Sequence, residues 1–299
     1  WSALQSGVEA LTFMERAGGV PESGRFGSSP AIASLLKEAA LTCKQGTCPV
    51  KKAPPTPIVF VVLFERLVVN ASELKFVRML AWFRLLKLWG TLRSDDHRGL
   101  APSRVRMLQS GLRGTLVRTK TSGVGKSREE LEITIDREAF VFERMWLSVG
   151  WALWEEQGSD RDYSLGLPTE DLTGMRKIEA KYPHATAMDR ALLMRLQDED
   201  SKPLLRTAVA SEFWTVHSDR ASVPSLAACL PNVPPGWIED LGRWSKSMSA
   251  TYIRTHLSRV KSIQRWVAIA ARTGEQVDEE ELWSDFAAFL MKHGSGTEE

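Results

Sequence analysis

Between Pro57 and Gly90 the chain carries two apolar helical patterns in close succession, "PIVFVVLFERLVV" and "SELKFVRMLAWFRLLKLWG". Apolar positions recurring every three to four residues predict a helix over about 57–69. A longer one follows, capped by Ser72 and stopped by Gly90. Helices this rich in Leu, Val, Phe and Trp need other elements packed around them. The first run is broken by Glu65 and Arg66 and is far too short to span a bilayer. A compact, mostly helical domain therefore begins near Pro54 and opens with this pair, and 299 residues suffice for one large domain or two moderate ones.

The rest of the pattern fits around that pair. A short helical stretch, "SALQSGVEALTFMERAGG", precedes a Gly/Pro/Ser-rich break, and a second helix is expected over about 29–42. The segment "KQGTCPVKKAPPTP" reads as a linker, placed at 46–56. After Gly90 comes a β-hairpin over 112–136, then a helix from "REAFVFERMWLSVGWALWEEQG" and a loop containing Gly166, Pro168 and Gly174. Helices follow at about 186–198, 203–213, 220–230, 235–243 and 247–271, with a short acidic one over 277–292. The expected fold class is mainly α with a small antiparallel β-sheet, an α+β arrangement. The first residue is Trp rather than Met, so the chain reads as a fragment.

The stretch "RTKTSGVGKS", residues 118–127, resembles the end of a phosphate-binding loop. The full motif needs a glycine five residues before Gly125, and Lys120 stands there instead. No nucleotide site is expected, and the stretch is better read as a hairpin whose tip carries Lys120 and Lys126. Cys43, Cys48 and Cys229 make neither a disulfide framework nor a zinc site, since the Cys-x4-Cys pair lacks a second ligand pair. No metal or other cofactor is predicted, and the thiols suit a reducing intracellular compartment.

The net charge of +2 hides an asymmetry. Residues 75–128 hold thirteen Lys/Arg against two Asp, and residues 241–266 hold six Lys/Arg and no acid. The helix over 75–89 is more basic than a purely buried helix should be. Charge segregated in this way predicts a basic face for a polyanion, most naturally nucleic acid, against the plain alternative of a solvated basic helix face.

Four short stretches carry residues suited to chemistry on phosphate. "GTLRSDDHRGL" places Arg93 after a glycine with Asp96 three residues on. "RTKT" contains Lys120. "HSDR" supplies His217 and Arg220 at H-x-x-R spacing. "LGRWSKSMSATYIRTH" places Trp244 eight residues before Tyr252. In this order and at these intervals they resemble the tyrosine recombinase (phage integrase) family, whose signature runs Arg…Lys…His-x-x-Arg…(His or Trp)…Tyr. The resemblance covers about residues 50–270. It implies a catalytic domain over 57–271, with 1–45 as the truncated tail of a helical core-binding domain and 272–299 as an acidic C-terminal helix or tail.

The resemblance implies cutting and resealing of double-stranded DNA without metal or ATP, with Tyr252 attacking to give a 3′-phosphotyrosine and a free 5′-hydroxyl. Arg93 and Arg220 would clamp the phosphate, a task for which a planar, permanently charged fork is suited. Lys120 would protonate the leaving oxygen, and His217 would assist as base or donor. Trp244 would offer its indole N–H to the phosphate, and Asp96 would orient an arginine. The family's working form is a homo-tetramer on DNA, in the nucleus if the host is eukaryotic. Two rivals share the residue set: a type IB topoisomerase-like strand passer and a catalytically silent DNA-binding descendant. Outside the motifs, His97 is expected as an exposed helix residue, and His184 and His256 as surface groups. Tyr163 and Tyr182 are expected in loops. Trp82, Trp89, Trp146, Trp151 and Trp154 are expected in the core.

Overall fold

The computed structural model describes residues 2–45, 55–116, 130–197, 202–205, 218–242 and 253–273. The chain divides into two compact units, Trp1–Lys52 and Ala53–Glu299. The first contains α1 (Ser2–Ala17) and α2 (Pro30–Gln45). The turn between them is tied to α1 by Glu15, whose carboxylate accepts the backbone N–H groups of Phe26 and Gly27 at 2.8 and 3.1 Å. None of its described side chains is buried, and Phe13, Met14, Phe26 and Leu35 all face solvent.

In the second unit both expected helices are present, as α3 (Ile58–Val69) and α4 (Lys75–Trp89), and α4 is almost wholly buried. The start of α4 differs from expectation. Asn70, not Ser72, organises the turn by accepting from the backbone and hydroxyl of Ser72, and the helix begins at Lys75. Of its fifteen residues only Lys75 and Arg78 escape burial. α4 is surrounded by α3, α6 (Trp146–Glu155), α7 (Tyr182–Met194) and α8 (Ser218–Cys229). Trp82, Phe83 and Trp154 pack ring to ring at 5.4–6.4 Å, and Trp151 joins from the margin. Gly150 is what lets α6 lie against Trp82, since a Cβ there would sit 2.0 Å from the indole.

After α4 come a short helix, α5 (Ser94–Arg98), and a three-stranded antiparallel sheet. The expected strand pair is present as β2 (Gly111–Leu116) and β3 (Leu131–Asp136), with Leu112 opposite Ile135 and Gly114 opposite Ile133. A third strand, β1 (Val105–Leu108), pairs with β2 across the Gln109-Ser110 turn. Gly111 takes φ 121° there, where a Cβ would meet the Ile135 carbonyl. A second sheet was not anticipated: the Gly/Pro loop pairs β4 (Gly166–Pro168) with β5 (Met175–Glu179).

Three further expectations are corrected. The helix predicted from Arg137 begins only at Trp146, because Glu65 of α3 captures the N–H groups of Val141, Phe142 and Glu143 at 2.9, 2.7 and 2.9 Å. An α-helix through those residues would claim the same donors. Tyr182 opens α7 instead of lying in a loop. Residues 202–205 form an isolated bridge and bend, not the start of a helix.

The last described elements are α9 (Pro235–Gly242) and α10 (Ile253–Thr273). α10 docks on β3 through Gln264, fully buried, whose Oε1 accepts the Asp136 N–H at 2.8 Å. Its Nε2 donates to Trp89 O and Thr134 O at 2.8 and 3.0 Å. The hairpin tip around Lys120 and Lys126, and the acidic segment over 277–292, lie outside the described residues. The second unit is thus mainly α with small antiparallel sheets.

Candidate active site

The end of α4 sets up the first arginine. After Gly90, Thr91 adopts φ 48°, is fully buried, and its hydroxyl donates to Leu241 O at 2.7 Å. That sharp corner turns the chain into α5, with Arg93 at its N-cap in extended conformation and half-buried. Asp96, 2% exposed, folds back so that its Oδ2 accepts the Arg93 N–H at 3.1 Å, one half of a capping box.

The second arginine arrives from the other end of the sequence on the same carboxylate. Arg220 lies in the first turn of α8, its side chain 11% exposed, with Nη1 3.9 Å from Asp96 Oδ2. Its Nη2 donates to Gly242 O at 2.8 Å. A carboxylate on one side and a carbonyl on the other hold the guanidinium plane. Gly242 is the last described residue before the Trp244 segment, and Leu241 beside it receives the Thr91 hydroxyl. Arg93, Asp96 and Arg220 therefore come together. Lys120, His217, Trp244 and Tyr252 lie outside the described residues. α10 begins at Ile253, the residue after Tyr252.

Two histidines expected at the surface are buried. His97, beside Asp96, is 3% exposed and meets Phe83 edge-on at 4.9 Å. Burial, with the Lys87 charge adding to it, pushes its pKa down to about 3, so the ring stays neutral and takes no part as a base near neutral pH. His256, in the first turn of α10, is 7% exposed, and its Nδ1 lies 3.7 Å from Asp240 Oδ1. His184 is exposed.

The basic character of α4 also has another meaning than the one predicted. Arg84 and Lys87 are buried inside the unit. Arg84 Nε donates to Asp219 Oδ1 at 3.2 Å, and Lys87 Nζ lies 2.6 Å from Asp189 Oδ2 and 3.4 Å from Asp219 Oδ2. Sequence reasoning missed this cluster, although two cations in an otherwise apolar helix and the aspartate inside "HSDR" were its visible signals. Among the described residues there is no group of three or more His, Cys, Asp or Glu able to hold a metal. None of the described helices is long and apolar enough to cross a membrane.

No family model matches the chain, and no curated protein matches it in sequence. Among solved structures it is similar to the XerH site-specific recombinase bound to its difH substrate in a pre-cleavage complex. The TM-score is 0.42 and the identity 11%, over 81% of this chain and 66% of that one. The chain thus spans less than two thirds of that protein's length.

Proposed function

We propose that the chain breaks and rejoins double-stranded DNA by transesterification, Tyr252 forming a 3′-phosphotyrosyl bond and releasing a 5′-hydroxyl. The observation that carries the reading is that Asp96 accepts the Arg93 backbone N–H and lies 3.9 Å from the Arg220 guanidinium. Two segments far apart in sequence, each carrying one of the motif arginines, converge on one carboxylate. A phosphate beside these arginines would receive two permanent cations, which stabilise the charge that builds in the pentavalent transition state. Lys120 would protonate the leaving oxygen and His217 would assist; Trp244 would donate to the phosphate. The phosphotyrosyl bond conserves the energy of the broken linkage, so a second 5′-hydroxyl reseals it without nucleotide or metal. On this reading the working form is a homo-tetramer on DNA, with the catalytic domain over 57–271.

The test is a suicide duplex nicked beside the candidate scissile phosphate, mixed with the wild type and with Tyr252→Phe and resolved on a denaturing gel. A covalent protein–DNA adduct is expected with the wild type alone. Intact DNA binding with no adduct from either would replace this reading with that of a silent DNA-binding protein. Relaxation of supercoiled DNA by the wild type without joining of two duplexes would favour the topoisomerase-like reaction.

A further inference from the structure

Asp219 stands between His217 and Arg220, and the chemistry proposed above gives it no part. It is fully buried in the first turn of α8. Its Oδ1 accepts the Thr56 hydroxyl at 2.9 Å and the Arg84 Nε–H at 3.2 Å, and Lys87 Nζ lies 3.4 Å from Oδ2. The same turn is fastened a second time. The Thr56 N–H donates to Ser222 Oγ at 2.7 Å, and the Ser222 hydroxyl donates to Ser218 O at 2.9 Å. With Asp189 the cluster holds two cations and two carboxylates, so it is neutral as a whole.

Burying four charges is a poor way to stabilise a core, since well-packed apolar residues of similar volume do as well or better. What the cluster supplies is direction. Successive residues on a helix point about 100° apart. A first turn that cannot rotate about Asp219 therefore fixes where Arg220 points, toward Gly242 O and Asp96. A bidentate arginine–phosphate contact is sensitive to that direction.

We propose that Asp219, clamped by Thr56 and Arg84, is a positioning residue that sets the aim of the Arg220 guanidinium on the scissile phosphate. This role rests on the strand-transfer reading, and its test separates the two. Thr56→Val is nearly isosteric, removes only the hydroxyl donor to Asp219 and keeps the N–H donated to Ser222. Thr56→Ser restores the hydroxyl. Each is assayed in the full chain on two nicked duplexes, one with an ordinary scissile phosphate and one with a methylphosphonate there. In the second a methyl group replaces a charged oxygen and leaves the arginine no charge to neutralise.

Thr56→Val is expected to bind the ordinary duplex as tightly as the wild type. Its single-turnover rate of adduct formation should fall about tenfold to a hundredfold, the scale of a small misplacement of a catalytic group. Thr56→Ser should recover the rate, and the deficit of Thr56→Val should vanish on the methylphosphonate. A wild-type rate for Thr56→Val, an equal deficit on both substrates, or a loss confined to DNA affinity would each overturn the positioning role alone. No adduct from the wild type on either duplex would overturn the strand-transfer reading and this role with it.

Discussion

α4 and α10 are both rich in lysine and arginine, yet they use those charges in opposite ways. In α4, Arg84 and Lys87 point into the unit, where Asp219 and Asp189 from distant parts of the chain neutralise them. In α10 the cations lie along the rim. Arg259 reaches Asp240 at 3.1 Å, Lys261 donates to Ser110 Oγ at 2.8 Å, and Arg265 meets Asp136 at 2.9 Å. Arg272 donates to Phe140 O at 3.0 Å. A run of positive charge in a sequence is thus not in itself a footprint for a polyanion. The acids that cancel it can come from a hundred residues away, and only the cations left at the surface attract DNA.

If that contrast is right, the cost of removing a cation should follow its depth. Arg84→Met removes one of the two buried cations that face Asp219 and leaves the cluster with a net buried negative charge, and it should destabilise the unit by about 3–5 kcal/mol, read from the urea midpoint. A loss near zero would mean that the buried pair is not formed. Glu65 extends the comparison to a buried carboxyl group held by backbone N–H groups. Burial pushes its pKa up to about 7, with Glu143 adding to the rise, against the three backbone N–H groups that favour the carboxylate. Because the folded value lies above the unfolded one, the stability Glu65 contributes is complete below about pH 4.5 and is lost as pH rises through about 7. The change is on the order of 3 kcal/mol. Glu65→Gln should flatten stability between those pH values, and a slope unchanged from wild type would assign it to another group.

At the rim, Arg265→Ala should cost about 1 kcal/mol, since Asp136 keeps the Glu138 N–H as a partner. Thermal unfolding would detect it, and a loss as large as that for Arg84 would erase the distinction. Lys75 pairs with Glu156 in full view of solvent. Lys75→Ala should change stability by less than about 0.5 kcal/mol, and still less at high salt.

What could be read before the fold was known follows the range of the interactions. α3, the body of α4, and the β2–β3 pair declare themselves because their periods are local properties of the chain. Arg93, Asp96 and Arg220 are motif members; the cap of Asp96 on Arg93 is local, three residues apart, whereas the approach of Arg220 to Asp96 is a tertiary fact that no interval encodes. The segment after Arg137 looks helical until Glu65, from another helix, takes its amides. β4 and β5 hide in a Gly/Pro-rich loop because short edge strands carry too few side chains to show a period. His97 reads as a surface residue until Phe83 and Lys87 surround it.

Gln264 carries a consequence for how this unit comes into being. Trp89 O, Thr134 O and the Asp136 N–H belong to segments that leave the ribosome long before residue 264, and all three find their partner in that one amide. Until α10 has been synthesised, Trp89 O, Thr134 O and the Asp136 N–H lack the partner that Gln264 provides. Thr56 on α8 and Gln264 on β3 fasten the unit across long stretches of sequence, so a nascent chain stalled before α10 would leave open the seam that Gln264 seals.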